Sequence, residues 1–175
     1  STGGVQQHVI CNLDVTIYKG DYTVIMGSSG SGKTTLLYAL SGMDTPTLGN
    51  VWFGSSENKI NIAKMKNDQL ALFRRKHCGF VFQSSYLQDN MDVLDNVLTS
   101  GLLVNKHKRE VIDKSKQLLK RVGLTDNDLL KFPSQFSGGE KQRVALVRSL
   151  INSPEIIFAD EPTGNLDSKT SREIL

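Results

Sequence analysis

The chain has 175 residues, 38% of them hydrophobic and 22% charged, with a mean hydropathy of −0.25. This allows one domain with a sizeable core, is too short for two ordinary ones, and excludes a disordered polyelectrolyte. A net charge of +3, from 21 Lys plus Arg against 18 Asp plus Glu, is too mild to argue for nucleic acid as a partner.

Cys11 and Cys78 cannot build a disulfide framework, and no CxxC or His/Cys cluster points to structural zinc. Reduced thiols are the expectation. No apolar run approaches the roughly eighteen residues needed to span a bilayer. The opening Ser1-Thr2-Gly3-Gly4 lacks the basic-then-apolar pattern of a signal peptide. A start without Met, and an end at Arg172-Glu173-Ile174-Leu175 inside what reads as a beginning helix, point to a piece of a longer protein.

In chain order, Leu13, Val15 and Ile17 alternate with Asp14, Thr16 and Tyr18, which predicts a strand with one buried face. Lys19-Gly20-Asp21 turns the chain, and Tyr22 to Met26 reads as a short buried strand. A glycine and serine loop from Gly27 to Gly32 precedes a helix from Lys33 to Ser41 with Leu36, Leu37 and Leu40 on its apolar face. Gly42 and Pro46 end it. Asn50 to Phe53 and Lys59 to Ile62 resemble the arms of a small antiparallel pair. A polar helix spans Asn67 to Lys76, and a strand spans Cys78 to Phe82. Helical signals dominate from Met91 to Leu130, with Val111, Leu118, Leu119 and Val122 on one face. Ser137 can cap a helix running to about Asn152, where Pro154 stops it. A second buried strand covers Glu155 to Ala159, and Ser168 can cap whatever follows Asp167.

Gly27-Ser28-Ser29-Gly30-Ser31-Gly32-Lys33-Thr34 fits GxxxxGK[ST] at every fixed position, between a predicted strand and a predicted helix. Glycines let the backbone curl so that successive N–H groups point at phosphate oxygens. The helix N-terminus adds its positive end to the same spot. Lys33 can reach the β- and γ-phosphates, and the Thr34 hydroxyl can ligate Mg²⁺. A chance Gly/Ser turn is the ordinary alternative, and both flanks weigh against it.

Ile156-Ile157-Phe158-Ala159-Asp160-Glu161 is an apolar strand ending in two acids, at the strand end where α/β sheets place ligands. Asp160 is the natural Mg²⁺ partner, and Glu161 is placed to polarise an attacking water as general base. A solvated pair capping a core strand is the plainer alternative. Between these segments, Phe136-Ser137-Gly138-Gly139-Glu140 opens a helix with Val144, Val147 and Ile151 inward, a pattern that can hold an anion.

With these residues in hand, the sequence resembles the ATP-binding-cassette (ABC) ATPases over nearly its whole length. Gly27 to Thr35 is similar to Walker A, Phe136 to Arg143 to the signature motif, and Ile156 to Glu161 to Walker B. Gln83, after Gly79-Phe80-Val81-Phe82, matches the Q-loop glutamine, and Gly164-Asn165-Leu166-Asp167 the D-loop. The run Leu72 to Gln83 together with Ala159 to Ser168 is most similar to the lipoprotein-release, macrolide-export and antimicrobial-peptide-resistance branch.

The resemblance implies an α/β fold: a P-loop NTPase core with a mostly parallel sheet, a small antiparallel β part and a helical subdomain carrying the signature. It divides one incomplete domain, 1–175, into a core of 1–83 plus 154–175 and a helical part of 84–153. It implies ATP and Mg²⁺ as cofactors, with Glu161, Gln83 and Lys33 catalytic and Thr34, Gln83 and Asp160 on the metal. Gly27, Ser28, Ser29, Gly30, Ser31, Gly32, Lys33, Thr34 and Thr35 would bind the nucleotide, as would Ser137, Gly138, Gly139 and Glu140 across a head-to-tail dimer. The implied partners are a second copy and an integral membrane permease, with the ATPase peripheral on the cytoplasmic face of the membrane. An ATP-gated mechanical partner of a permease-like protein, acting on cell-envelope enzymes, shares this motif set. A soluble cassette of DNA repair or ribosome function fits less well, since Lys33 and Ser137 are 104 residues apart without sustained heptads, one cassette is present and the charge is mild.

Phe136 stands where the family usually has Leu, and Glu140 where Gln is common. The family's switch histidine follows Walker B, whereas His8, His77 and His107 all precede it; no aromatic precedes Leu13. An incomplete cassette that binds nucleotide and hydrolyses it poorly is the expectation. Arg74, Arg75, Lys76 and His77, like Lys106 to Arg109, read as solvated basic faces. Phe80 and Phe82 read as core. Tyr86, Leu87, Met91 and Leu94 fit either a core or a groove for a membrane subunit's helix.

Overall fold

Val144, Val147 and Ile151 recur at three- and four-residue spacing, and all three side chains are buried, so one stripe of their helix faces the core. The computed structural model describes residues 9–164, in two compact units, Ser1–Lys66 and Asn67–Leu175. No helix among the described residues is long and apolar enough to cross a membrane.

In the first unit, α1 (Lys33–Ser41) starts at Gly32 and stops at Gly42, both left-handed (φ 90° and 66°), a conformation glycine adopts without steric cost. The short strands β1 (Trp52–Phe53) and β2 (Ile60–Asn61) pair antiparallel, Trp52 opposite Asn61 and Phe53 opposite Ile60. The Asn61 side chain caps the following 3₁₀ turn, Ile62–Lys64, by accepting from Ala63 N.

The predicted strands Leu13 to Ile17 and Tyr22 to Met26 are not formed. Both segments lie outside any strand, and Tyr22, Val24 and Met26 are 77%, 64% and 86% exposed rather than buried. A strand needs a neighbour for its N–H and C=O groups, and in the described part of this unit β1 and β2 pair only with each other. Alternation specifies which face would be buried; it supplies no pairing partner.

In the second unit, α2 (Asn67–His77) runs directly into β3 (Cys78–Phe82), which pairs parallel with β4 (Ile156–Asp160). The register sets Cys78 opposite Ile156 and Phe82 opposite Asp160, so both strands end at one edge. Strand β4 is less buried than the sequence predicts: Phe158 is buried, while Ile157 and Ala159 are exposed. Phe80 and Phe82 are only partly buried; Phe80 stacks on Phe82 and on Phe158, centroids 6.0 and 5.7 Å apart. His77 does not extend into solvent with its basic neighbours. Its Nδ1 meets Glu155 Oε1 at 2.6 Å, and Glu155 N donates to His77 O, joining the end of α2 to the start of β4.

Three helices build the core: α3 (Val93–Gly101), α4 (Lys108–Arg121) and α5 (Gly138–Leu150). Val93, Val97, Val111, Leu119, Val144 and Val147 form its centre, each such burial contributing about 1.5–3 kcal/mol. Leu118 and Val122 pack against this cluster, as do Leu87 and Leu94, whereas Tyr86 is exposed. Small residues let the elements approach. A Cβ on Gly79 would meet Ser149 O at 2.7 Å, so β3 lies directly on α5.

Candidate functional site

The loop before α1 is exposed from Gly27 to Ser31. It closes with Ser31 N donating to Ser28 O at 3.2 Å, and Leu36 N donates to Gly32 O at 2.8 Å to start the helix. Gly30 and Gly32 take φ +78° and +90°, and a Cβ on Gly27 would lie 2.6 Å from Ser31 Oγ. Positive φ favours glycine at Gly30 and at the motif's fixed Gly32, while a Cβ at the other fixed glycine, Gly27, would displace the Ser31 hydroxyl. Lys33 Nζ curls back over the loop and donates to Gly27 O at 3.0 Å and Ser28 O at 2.8 Å. An ammonium has three donors, and here it lies over the loop that the motif assigns to phosphate. Val9 closes the other side: a Cβ on Gly32 would meet Val9 Cγ1 at 2.9 Å.

In the second unit the β3–β4 register brings two sequence-predicted residues together. Phe82 faces Asp160, so Gln83 and Glu161 leave the sheet side by side. Glu161 takes φ +46°, a conformation rare for a side chain without local polar compensation and costing about 1–3 kcal/mol. Its carbonyl accepts from Gly164 N at 2.9 Å, closing a turn over Pro162 and Thr163. Gly164 lies against Gln83: an added Cβ would meet Gln83 Nε2 at 2.9 Å and Cγ at 3.3 Å. Asp160 is half-buried and Glu161 exposed. Asn165, Leu166 and Asp167, the remainder of the D-loop match, and the Ser168 cap lie outside the described residues.

Ser137 caps α5 as the sequence predicts, and Glu140 completes a reciprocal capping box. Glu140 Oε2 accepts from Ser137 N at 2.8 Å and from Ser137 Oγ at 2.7 Å, while Glu140 N donates to Ser137 Oγ at 3.3 Å. These bonds, the hydroxyl's first, hold the Glu140 carboxyl below the usual carboxylate range. Ser137 and Gly138 remain exposed, while Gly139 is buried. Phe136, at the position where Leu is usual, is buried in the core, so the replacement keeps an apolar anchor for the loop.

Sequence reading missed three buried or half-buried polar side chains that hold the segment 82–92. Gln142 Nε2 donates to Phe82 O at 2.7 Å. Arg148 donates to Ser85 O and Tyr86 O, both at 2.6 Å. Asn96 accepts from Gln88 N at 2.7 Å and donates to Gln88 O, Met91 O and Asp92 O. The available signal was Asn96, a polar residue among the apolar positions Val93 and Val97 of α3, where a buried amide must find partners; nothing local marked Gln142 or Arg148.

A parallel strand pair whose second strand ends in acids, in one unit, and a glycine loop leading into a helix, in the other, are features of the P-loop ATPase class. Residues 10–164 match the family model described as ABC transporter. A lipoprotein-releasing system ATP-binding protein, LolD, from Wigglesworthia glossinidia brevipalpis is 42% identical over 94% of this chain and 70% of its own length. A bacitracin export ATP-binding protein, BceA, from Halalkalibacterium halodurans is 42% identical over 97% of this chain and 65% of its own. Among solved structures, the dimeric ABC cassette MJ0796 in a post-hydrolysis state with ADP and Pi superposes with a TM-score of 0.80 at 35% identity, over 95% of this chain and 71% of that one. The chain belongs to the ABC transporter ATPase family.

The residues present suit a nucleotide with Mg²⁺. That ion takes oxygen donors and is commonly held by one or two carboxylates together with phosphates; the Thr34 hydroxyl in the first unit, and the Gln83 amide oxygen and Asp160 carboxylate in the second, are each donors of that chemistry.

Proposed function

We propose that this chain is the ATP-hydrolysing subunit of a membrane transporter of the export or lipoprotein- and peptide-extrusion type, working as a head-to-tail dimer against a membrane permease. The observation that carries the reading is the register of Phe82 with Asp160, which sets Gln83 beside the turn Glu161–Gly164. Support for the branch comes from the LolD and BceA relatives, and for the dimer from the dimeric MJ0796 cassettes.

In this reading Gly27 to Thr35 holds the nucleotide, with Lys33 exchanging its bonds to Gly27 O and Ser28 O for phosphate oxygens and Thr34 offering its hydroxyl to Mg²⁺. Asp160 and Gln83 are the second unit's partners for the ion. Glu161 accepts the proton of the attacking water. Ser137, Gly138 and Gly139 present a hydroxyl and N–H groups to a neighbouring copy's nucleotide, and Glu140 sets the Ser137 hydroxyl. Mg²⁺, when bound, neutralises charge on the transferring phosphoryl group. The remaining catalysis is positioning and charge stabilisation by this chain. The division into a core of 1–83 plus 154–175 and a helical part of 84–153 belongs to the same reading, as does a peripheral place on the cytoplasmic face of a membrane.

Direct binding of a fluorescent ATP analogue tests the first half. Lys33→Ala is expected to abolish it, and unchanged affinity would sink the phosphate-loop assignment. Glu161→Gln is expected to accumulate an ATP-bound dimer on size exclusion; wild-type turnover in that variant would remove Glu161 as the base.

A further inference from the structure

Gln83 sits between two anchors that come from one helix. On its N-terminal side, Gln142 donates to Phe82 O at 2.7 Å from a side chain only 3% exposed. On its C-terminal side, the Arg148 guanidinium donates one N–H to Ser85 O and another to Tyr86 O, each at 2.6 Å. Both anchors project from α5, the helix whose first turn carries Ser137 to Gly139. The contact is continuous with the backbone, since β3 already lies on α5 at Gly79.

Nothing in packing alone requires a guanidinium here. Burial pushes the Arg148 pKa below the ordinary arginine value, and removing a charge from water is costly unless its donors are used. Two carbonyls from successive residues use them in the forked geometry that arginine offers and lysine does not. One of those residues, Tyr86, is held at φ +47°, and its ring meets Phe82 edge-on with centroids 5.6 Å apart. The segment 82–86 is thus fixed at both ends, with Gln83 inside it and Gly164 against its side chain.

We infer that Arg148 and Gln142 are positioning residues for Gln83, tying the glutamine to the helix that begins at the signature serine so that the two move as one piece. The inference rests on the reading of Gln83 as a Mg²⁺ partner. It assigns Arg148 a role through Gln83 and no contact with nucleotide.

The test measures affinity for a fluorescent ATP analogue with and without Mg²⁺ and takes the ratio, in wild type, Arg148→Met, Gln83→Ala and the double variant. Arg148→Met is expected to lower the Mg²⁺ enhancement about fivefold, within the range of couplings between residues of one network. In the Gln83→Ala background the same change is expected to have no further effect. Arg148→Lys, which keeps the charge but not the fork, is expected to fall between and serves where the Met variant folds poorly. Amide exchange over 83–87 is expected to quicken in Arg148→Met while amides of α3 and α4 stay protected. An undiminished Mg²⁺ enhancement in both folded Arg148 variants, or an equal loss with Gln83 already removed, would overturn the inference alone. If Gln83→Ala itself leaves the enhancement unchanged, the reading of Gln83 fails and takes the inference with it.

Discussion

The Glu140 carboxylate accepts both the backbone N–H and the hydroxyl of Ser137, at 2.8 and 2.7 Å. A hydroxyl that donates to this carboxylate and accepts from Glu140 N has no proton left for a phosphate, so a phosphate at Ser137 must take over as the acceptor. The same pair stabilises α5. Ser137→Ala removes the cap and is expected to cost about 0.5–2 kcal/mol, and Glu140→Gln about 1 kcal/mol, since the amide keeps one acceptor. Because the folded-state pKa of Glu140 is depressed, its contribution is complete above the unfolded-state value and is lost as pH falls through the folded-state one. Urea unfolding across an acid series is therefore expected to show the gap between wild type and Glu140→Gln closing toward low pH. A gap independent of pH would show that the carboxylate's charge contributes nothing.

Burial pushes the Cys78 thiol up to about 12, with Arg74 opposing and Glu155 adding a smaller rise. The thiolate is the reactive form, so Cys78 is expected to resist maleimide near neutral pH, while the exposed Cys11 reacts. Mass spectrometry of the labelled chain distinguishes the two sites, and denaturant is expected to expose the second. Equal labelling of both thiols in the folded protein would contradict the burial of β3.

At the crossing of α3 and α4, a Cβ on Gly101 would run into Val111 Cγ1 and lie 3.1 Å from Ile151 Cγ1. Overpacking of this kind costs about 1–3 kcal/mol, and Gly101→Ala is expected to lower stability by that amount in chemical denaturation. Val111→Ala removes the obstructing methyl, so the double variant is expected to lose less than the two single losses combined. Additive losses would mean that the helices separate instead of clashing.

The glycine loop, the helix after it and the capped helix at Ser137 were legible in the sequence, because each is specified by neighbours along the chain: φ-permissive glycines, a side-chain cap, a 3.6-residue stripe. The acids ending β4 were legible for the same reason. What local pattern cannot specify is pairing. Val15 and Val24 alternate or cluster as strand residues do, yet have no strand beside them among the described residues, and both stay exposed. Gln142 and Arg148 were invisible for a related reason. On a helix with apolar positions at Val144 and Val147 they read as its solvent face, and only the approach of 82–86 makes Gln142 a buried donor and Arg148 a half-buried one. His77 likewise counted as one of four basic residues until Glu155, 78 positions away, met it.

Glu161 combines the proposed base with a left-handed backbone, φ +46°. Holding a non-glycine residue there costs about 1–3 kcal/mol, whereas glycine would adopt it freely at a cost of about 0.5–1 kcal/mol in unfolded-state entropy. The exposed side chain contributes little packing to set against this. Glu161→Gly is accordingly expected to be no less stable than wild type, and by up to about 2.5 kcal/mol more stable, while losing ATP hydrolysis. Thermal unfolding without nucleotide, paired with a phosphate-release assay, measures both halves. A lowered melting temperature would show that the carboxylate makes stabilising contacts that outweigh its backbone strain. An unchanged rate of phosphate release would remove the functional reason for tolerating that strain at the end of β4.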